Sequence, residues 1–417
     1  MTMTFDFNFA SVADVRVGAG SSAELGELAT KLGLQQALIV TDACILGCGL
    51  LEAALDSLKR CRVAFTIYSE VVADPPESSV LAAAAAARAA GCDGVIGFGG
   101  GSPMDVAKLV AVLLAGDQPL ADMYGVDRVR GPRLPLIQVP TTAGTGSEAT
   151  MVSIITTGET TKAGVVSRTL LADSIVLDAK LSLGLPPHIT AATGIDAMVH
   201  AIEAYTSVRL KNPLSDMLAR EALRLISQNI TRAVVDGGDL AAREAMLLGA
   251  MLAGQAFANA PVAAVHALAY PLGGNYRIAH GLSNSLVLPH VLRFNAPVAE
   301  HLYQQLAPII LDSTACDASA TGEDATEALA RYFLRLADDL GLPTTLRAMG
   351  IARDDLPKLA DQALLQQRLL INNPRPVTLA DALAMYQLAY QLTHWRNDGR
   401  YRWTQNSNAA ITATYWI

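Results

Sequence analysis

The chain has 417 residues, of which 51% are hydrophobic and 17% are charged, and its formal net charge is -8. This length and apolarity predict a globular protein with more than one core and exclude a disordered chain. Acidic and basic residues are mixed and no block rich in Lys and Arg occurs, so we expect no nucleic-acid partner.

The N-terminal segment and the cysteines bear on where the protein works. The first residues include acids and lack a basic stretch followed by an apolar one, so they do not resemble a signal peptide. Charged residues interrupt the apolar stretches, and we expect no membrane span. Five cysteines without a CxxC pair argue against a disulfide framework, which makes the cytoplasm the simplest compartment.

Short apolar runs alternate with helical patterns in the first half of the chain. A helix over 78–90 follows an Asp-Pro-Pro-Glu capping pattern and ends at Gly91. The predicted strands are 36–41, 62–68, 93–98 and 134–139. Strands that alternate with helices predict βαβ units in a parallel sheet, and we assign residues 1–186 to an α/β dinucleotide-binding domain.

The pattern changes after Pro186 and Pro187. Helical patterns cover 189–205, 212–230 and 240–258, and strand-like runs nearly vanish. A further helix is predicted over 262–270, with Pro271, Gly273 and Gly274 as its end. We therefore predict an all-helical domain over 187–393 that binds a metal, followed by a Trp-rich extension over 394–417.

A glycine run lies where a nucleotide site is expected. Gly99, Gly100, Gly101 and Ser102 follow a predicted strand and open a predicted helix, for which Ser102 is the expected N-cap and Pro103 the first helical residue. Such a helix end offers free N–H groups to a pyrophosphate. A purely structural glycine turn explains the run equally well when it is taken alone.

Two further features favour a nucleotide. A second loop, with Thr141, Thr142 and Thr145, follows the next predicted strand and offers hydroxyls and glycines for phosphate and ribose contacts. Asp42 follows the first predicted strand, where a carboxylate binds the ribose 2′-hydroxyl of NAD and repels a 2′-phosphate. The alternative for Asp42 is a helix N-cap.

Histidines and one carboxylate suggest a metal site in the helical half. Asp196 and His200 are four residues apart and share one face of a predicted helix. His266 lies on a second predicted helix, and His280 follows it. Each histidine alone is more simply a core residue, but the set in apolar surroundings favours one divalent metal with an open position for a substrate oxygen.

Taken together, these motifs resemble the iron-containing, or group III, alcohol dehydrogenase family. The segments GGGSPMDVAK, PTTAGTGSEAT, GIDAMVHAIEAY and HALAYPLGG occur in order, and the similarity runs over residues 5 to 390. The resemblance implies a dehydroquinate synthase-like architecture with the active site in the cleft between two domains. It implies metal ligands at Asp196, His200, His266 and His280, and cofactor contacts at Asp42, Gly99, Gly100, Gly101, Ser102, Thr141, Thr142, Thr145 and Lys162.

The expected activity is NAD-linked exchange of a hydride between a small alcohol and its aldehyde or ketone, with the metal as a Lewis acid. Fe(II) is the usual metal of the family, and Zn(II) prefers such ligands as well. Tyr270 stands where many relatives have another histidine. Its hydroxyl could orient substrate or pass a proton, or its ring could simply shape the pocket.

Three alternatives remain open from the sequence. A lyase similar to dehydroquinate synthase would use NAD only transiently, but no strongly basic phosphate cluster accompanies these motifs. An enzyme similar to maleylacetate reductases would lack the metal, which the intact ligand set opposes. A non-catalytic assembly protein is disfavoured for the same reason.

We also expect a homodimer or higher homo-oligomer. The resemblance suggests that a strand around 15–17 pairs across a two-fold axis and covers an open sheet edge. All three tryptophans fall in 394–417, together with a predicted strand over 409–417. So much aromatic surface predicts that this extension is ordered and packed, and the alternative is an extension that contributes nothing.

Overall fold

The computed structural model describes residues 6–158, 161–311 and 324–391, together with the backbone of 394–395 and 401–402. Strands occupy its first part. In chain order they are β1 Asp14–Val17, β2 Gln36–Val40, β3 Ala64–Tyr68, β4 Gly94–Gly99, β5 Gly125–Val126, β6 Leu136–Pro140, β7 Val152–Thr157, β8 Thr161–Val166 and β9 Ser174–Leu177.

The main sheet of the described residues is parallel and has the strand order β1-β9-β6-β4-β2-β3. Every residue of β4, β6 and β9 is buried, as is usual for parallel strands that are covered on both faces. The four strands predicted over 36–41, 62–68, 93–98 and 134–139 are present, and the parallel sheet is confirmed.

A smaller sheet, of order β5-β8-β7, was not predicted. Strands β7 and β8 pair antiparallel, with Val152 opposite Val166. Their sequences, VSIITT and TKAGVV, are rich in threonine and only partly buried, so they lack the apolar run that marked the other strands. This sheet carries Lys162.

Helices alternate with the strands as expected. The predicted helix over 78–90 begins at Glu77 and ends at Ala90, and Gly91 closes it in the left-handed conformation. The helices of this part are α1 Leu25–Lys31, α2 Ala43–Gly47, α3 Glu52–Arg60, α4 Glu77–Ala90 and α5 Gly101–Ala115.

After Leu177 and up to residue 391, the regular elements of the described residues are helices joined by loops. The helices are α6 Pro187–Thr206, α7 Pro213–Val235, α8 Leu240–Asn259, α9 Ala264–Tyr276, α10 His280–Ile310, α11 Ala325–Asp339, α12 Leu356–Leu364, α13 Gln367–Leu370 and α14 Leu379–Tyr390. The three long helices predicted first correspond to α6, α7 and α8. The division into separate domains near Pro187 stays a prediction.

One helix end was predicted wrongly. Helix α9 does not stop at Pro271 but continues to Tyr276, where Arg277 adopts a left-handed conformation and donates its N–H to the Gly273 carbonyl. A proline inside a helix removes the hydrogen bond of its missing N–H, and its ring crowds the carbonyl four residues earlier. Here the buried side chains on both sides of Pro271 keep the helix packed, so the helix tolerates that loss.

Helix α6 is the centre of the helical part. Nearly all its residues from Thr190 to Thr206 are buried, and they pack against α7, α8 and α10. No single described helix is both long and apolar enough to span a membrane; α8 and α9 reach that threshold only as a pair bent by 108°.

The C-terminal extension lies largely outside the described residues. The two-residue strands β10 His394–Trp395 and β11 Tyr401–Arg402 pair antiparallel. The predicted strand over 409–417 and the predicted packing of the extension fall outside what the structure describes.

Candidate active site

A cleft of about 1160 Å³ lies between the sheet and the helices. Strands β4 and β6 end beside it, and in open parallel sheets ligands bind outside the carboxyl ends of the strands. The volume slightly exceeds that of ordinary small-molecule pockets, which are roughly 300–1,000 Å³. Residues lining the cleft from both halves of the chain include Gly101, Ser102, Thr145, Lys162, His200, His266, Tyr270 and His280.

The glycine run ends in a helix, but not at the predicted residue. Helix α5 begins at Gly101, and its N-cap is Gly100 in an extended conformation, so Ser102 and Pro103 are already inside the first turn. Only a glycine fits at 101, because a Cβ there would lie 2.9 Å from Cγ2 of Thr145. No side chain caps this helix end, so its first N–H groups remain available to an anion.

The threonine loop lies directly against the glycine run. The Thr141 N–H donates to the Gly99 carbonyl at 2.9 Å. A Cβ built on Gly100 would lie 3.6 Å from Oγ1 of Thr142. The two loops therefore form one continuous edge, with hydroxyls on one side and free backbone on the other.

Asp42 is the helix N-cap that the sequence offered as one of two interpretations, and its contact with ribose stays a prediction. It is the N-cap of α2, and its Oδ1 accepts a hydrogen bond of 2.9 Å from the Ile45 N–H. Its Oδ2 lies 3.6 Å from the Cβ position of Gly99. One carboxylate oxygen thus fixes the side chain, and the other faces the glycine run.

Lys162 reaches the cleft from β8. Its ammonium group forms a salt bridge with Asp74 and lies 3.4 Å from Oγ1 of Thr156, and its side chain is 11% exposed. Of the nine predicted nucleotide contacts, four line the cleft: Gly101, Ser102, Thr145 and Lys162. The other five, Asp42, Gly99, Gly100, Thr141 and Thr142, lie next to the glycine run.

The four predicted metal ligands converge. Asp196 and His200 lie on α6, His266 lies on α9 and His280 is the first residue of α10; one donor atom from each falls within 4.8 Å of the others. The approach of α10 to α6 depends on Gly281, because a Cβ there would lie 2.4 Å from the Ala192 carbonyl oxygen. Divalent first-row metals prefer this donor set of three imidazoles and one carboxylate.

Hydrogen bonds fix which histidine nitrogens face the cluster. Nδ1 of His266 lies 2.6 Å from the buried Glu203 carboxylate, which also accepts from the Val265 N–H. Nδ1 of His200 lies 3.3 Å from the Gly144 carbonyl oxygen. A carbonyl oxygen only accepts, so Nδ1 carries the proton and Nε2 presents a lone pair, as metal-binding histidines do.

The position of Asn284 tests whether the cluster suits a cation. Its amide nitrogen lies 2.6 Å from Oδ1 of Asp196 and 3.3 Å from Nε2 of both His266 and His280. An amide group has two hydrogens and cannot satisfy three acceptors. Its Oδ1 is buried without a hydrogen-bond partner among the described residues. The three lone pairs converge on one point, and a single metal ion fits them better than the amide does.

The electrostatics of the cluster favour the metal-binding protonation states. Burial lowers the pKa of His200 to about 3, so this imidazole is neutral near pH 7. Burial alone would raise the pKa of Asp196, but the three neighbouring histidines and the hydrogen bond from Asn284 outweigh it and lower the pKa. A carboxylate and neutral imidazoles are the forms that bind a metal.

Tyr270 points toward the same cluster. Tyr270 follows His266 by one helical turn on α9. Its ring centre lies 6.0 Å from the ring centre of His280. Burial raises the pKa of Tyr270 above its usual value of 10.0, and nearby Arg368 opposes part of this rise. The hydroxyl therefore keeps its proton near neutral pH.

Sequence reasoning missed two polar residues of this site. Glu203 follows Asp196 and His200 at helical spacing on α6, and Asn284 follows His280 by one turn on α10. The spacing of Asp196, His200 and Glu203 is the signal that indicates Glu203. Nothing in the sequence assigned Glu203 to His266 rather than to the metal.

The sequence of this chain matches two profiles of one protein family. The profile of iron-containing alcohol dehydrogenase matches residues 13–179, and that of the Fe-containing alcohol dehydrogenase family, C-terminal, matches residues 190–390. The chain belongs to the iron-containing alcohol dehydrogenase family. Long-chain-alcohol dehydrogenase 1 of Geobacillus thermodenitrificans is 40% identical over 377 residues, which cover 90% of this chain and 94% of that protein.

Other members of the family are similar over almost their whole length. Sulfoacetaldehyde reductase of Bilophila wadsworthia is 36% identical, over 90% of this chain and 96% of that protein. The structure of an alcohol dehydrogenase from Oenococcus oeni superposes with a TM-score of 0.88 at 33% identity. The superposition covers 92% of this chain and 100% of that protein's chain. The family shares this architecture of a parallel sheet followed by helices.

Proposed function

We propose that this chain interconverts a small alcohol and its aldehyde or ketone, with NAD as the hydride carrier and one divalent metal. The convergence of Asp196, His200, His266 and His280 in the same cleft as the glycine and threonine loops carries this proposal. Relatives are named for long-chain alcohols, 1,3-propanediol, lactaldehyde and sulfoacetaldehyde, which supports alcohol and carbonyl chemistry.

The four ligand side chains would hold the metal, which we propose to be Fe(II), with Zn(II) as the second candidate. When bound, a divalent metal supplies Lewis-acid polarisation of the substrate oxygen, and NAD supplies or accepts the hydride. Glu203 holds His266 in the tautomer that offers Nε2, and the Gly144 carbonyl does the same for His200.

The remaining residues position substrate and cofactor and exclude water. The α5 end at Gly101 and the threonine loop would bind the pyrophosphate, and Asp42 the ribose. The ring of Phe257 packs at a tilt against His200, with ring centres 4.5 Å apart, on one side of the cluster. Because Tyr270 stays protonated, its hydroxyl would donate a hydrogen bond to substrate rather than act as a base.

A panel of alcohols and aldehydes, assayed by NADH absorbance with metal content measured on the same sample, tests this function. We expect net NADH formation from at least one alcohol and about one metal per chain. A lyase that uses NAD transiently would form no net NADH. A metal-free reductase would keep its activity after chelation.

We also propose a cytoplasmic homodimer or larger homo-oligomer. The four cysteines of the described residues are free thiols, including the exposed pair Cys44 and Cys48 with sulfurs 3.9 Å apart. Exposed, unbonded thiols suit a reducing compartment. Strand β1 lies at one edge of the main sheet and pairs with β9 alone among the described residues, which supports the oligomer.

A further inference from the structure

Arg368 stands out among the charged groups of the cleft. It lies on α13, lines the cleft and is half-buried, and no carboxylate within 4.0 Å pairs with it among residues 6–158, 161–311 and 324–391. Lys162 and Lys211 also line the cleft, but Asp74 and Asp216 neutralise them. A partly buried charge without a counter-ion is costly, so such a group commonly has a ligand of opposite charge.

The Arg368 guanidinium packs against the backbone of a strand. It lies over the backbone of β8 at Gly164, where a Cβ would come within 3.4 Å of its Nη2 and 3.6 Å of its Cζ. These are ordinary packing distances, so the guanidinium rests directly on the strand backbone at this glycine. Asp105, which also lines the cleft, is already bound to the Ser147 hydroxyl and the Ile154 N–H.

Tyr270 connects this charge to the metal ligands. The Arg368 guanidinium is close enough to the Tyr270 hydroxyl to lower its pKa, against the larger effect of burial. The Tyr270 ring in turn lies 6.0 Å from the His280 ring. The Arg368 guanidinium and the Tyr270 hydroxyl thus lie in the same cleft as the proposed metal ligands.

We propose that Arg368, assisted by Tyr270, binds an acidic group that the substrate carries a few carbons away from the carbon that exchanges the hydride. A guanidinium binds a carboxylate or a sulfonate through two parallel hydrogen bonds, and it does so more strongly beside a low-dielectric wall. This inference rests on the proposed function and narrows its substrates to short hydroxy acids and their aldehyde acids.

Matched substrates test the inference. Wild type and Arg368→Met are compared with 4-hydroxybutyrate and 1-butanol, which have the same chain length. We expect wild type to prefer the acid, and the ratio of kcat/KM for acid over alcohol to fall on the order of tenfold to a hundredfold in the variant, mainly through KM. Arg209→Met, at an exposed arginine that also lines the cleft, should leave this ratio unchanged.

Cofactor phosphates are the other anions within reach, and the NAD kinetics distinguish them. If Arg368→Met raises KM for NAD and lowers kcat/KM for acid and alcohol equally, Arg368 binds the dinucleotide and the proposal is overturned. An unchanged ratio of acid over alcohol in a variant that melts like wild type overturns it as well.

A binding measurement separates this inference from the proposed function. Calorimetric titration of butyrate into the NADH-loaded protein should give a Kd about tenfold lower for wild type than for Arg368→Met. If no alcohol is oxidised but butyrate binding depends on Arg368, the proposed function fails and the anion site stands. Equal butyrate binding in both proteins overturns the anion site, whatever the enzyme oxidises.

Discussion

The carboxylate of Glu203 lies 2.6 Å from Nδ1 of His266, and both side chains are buried. This pair is the carboxylate–histidine arrangement that fixes metal-binding imidazoles in other proteins. The second oxygen of the Glu203 carboxylate accepts a hydrogen bond from the Val265 N–H, so this carboxylate connects the start of α9 to α6. The pair links the orientation of one proposed ligand to the packing of two helices.

Glu203→Gln should weaken the metal site without removing a ligand. Val265 and His266 each bond a different oxygen of Glu203, and an amide keeps only one of these two positions as an acceptor, so one of the bonds is lost. We expect metal affinity to fall on the order of tenfold to a hundredfold, measured by competition with a chelator. Glu221→Gln, at a surface ion pair with Arg224, is the control. Equal affinity in both variants would refute the role of Glu203.

His266→Ala should lose most of the metal and most of the activity. This change removes one of four donors from a cluster whose donor atoms lie within 4.8 Å of one another. Metal content per chain, measured by elemental analysis after gel filtration, checks it. His301→Ala, at an exposed histidine of α10, should retain both. Full metal occupancy in His266→Ala would show that the metal site lies elsewhere.

Asp42→Gly should narrow or invert a preference for NAD over NADP. The free Oδ2 of Asp42 faces the glycine run, where it would accept from the ribose hydroxyls and repel a 2′-phosphate. The ratio of kcat/KM values for the two cofactors measures the preference. The variant also loses the cap of α2, so a melting curve should accompany the kinetics. Equal use of both cofactors by wild type would contradict this role.

Glu148 should make stability fall as pH rises. Burial raises its pKa to about 7, against the opposing charge of Lys108, from a usual value of 4.5. The folded protein therefore holds this proton more tightly than the unfolded chain does. The stabilisation is complete below pH 4.5 and is lost as pH rises through about 7.

Urea unfolding of wild type and Glu148→Gln over this pH range measures the effect. Each pKa unit corresponds to about 1.4 kcal/mol, so wild type should lose on the order of 3 kcal/mol relative to the variant between the two ends of the range. A difference in unfolding free energy that does not change with pH would mean that Glu148 is ionised or solvated in the folded protein.

The open edge of the main sheet leads to a prediction about assembly. Strand β1 pairs only with β9 among the described residues, and the Gly18 N–H donates to the Leu177 carbonyl. Because N–H groups alternate along a strand, the Val17 N–H points to the open edge. Val17→Pro should block pairing with a second copy and leave the β9 pairing intact.

Light scattering at micromolar concentration checks this prediction. Wild type and Val17→Thr, which keeps the N–H, should have the mass of at least a dimer, and Val17→Pro should shift toward the monomer. A monomeric wild type would refute the oligomer, and an unchanged mass for Val17→Pro would move the interface away from this edge.

Features set by neighbouring residues could be read from the sequence. The four predicted strands of the first half, the long helices and the shared face of Asp196 and His200 follow from local patterns, because side-chain periodicity is a local property. The glycine and threonine loops were recognisable because each follows a strand directly. The small sheet of β7 and β8 was missed, since partly buried threonine-rich strands lack an apolar run.

The tertiary structure decided what lies between distant segments. Helix α5 begins at Gly101, against the threonine loop, rather than after Ser102, and α9 continues past Pro271 with buried side chains on both sides of it. Two features depend on which helices and strands meet. These are the contact of Glu203 with His266 and the position of the Arg368 guanidinium over Gly164. Spacing along the chain fixes one face of one helix, whereas the meeting of faces depends on packing, which only the folded chain specifies.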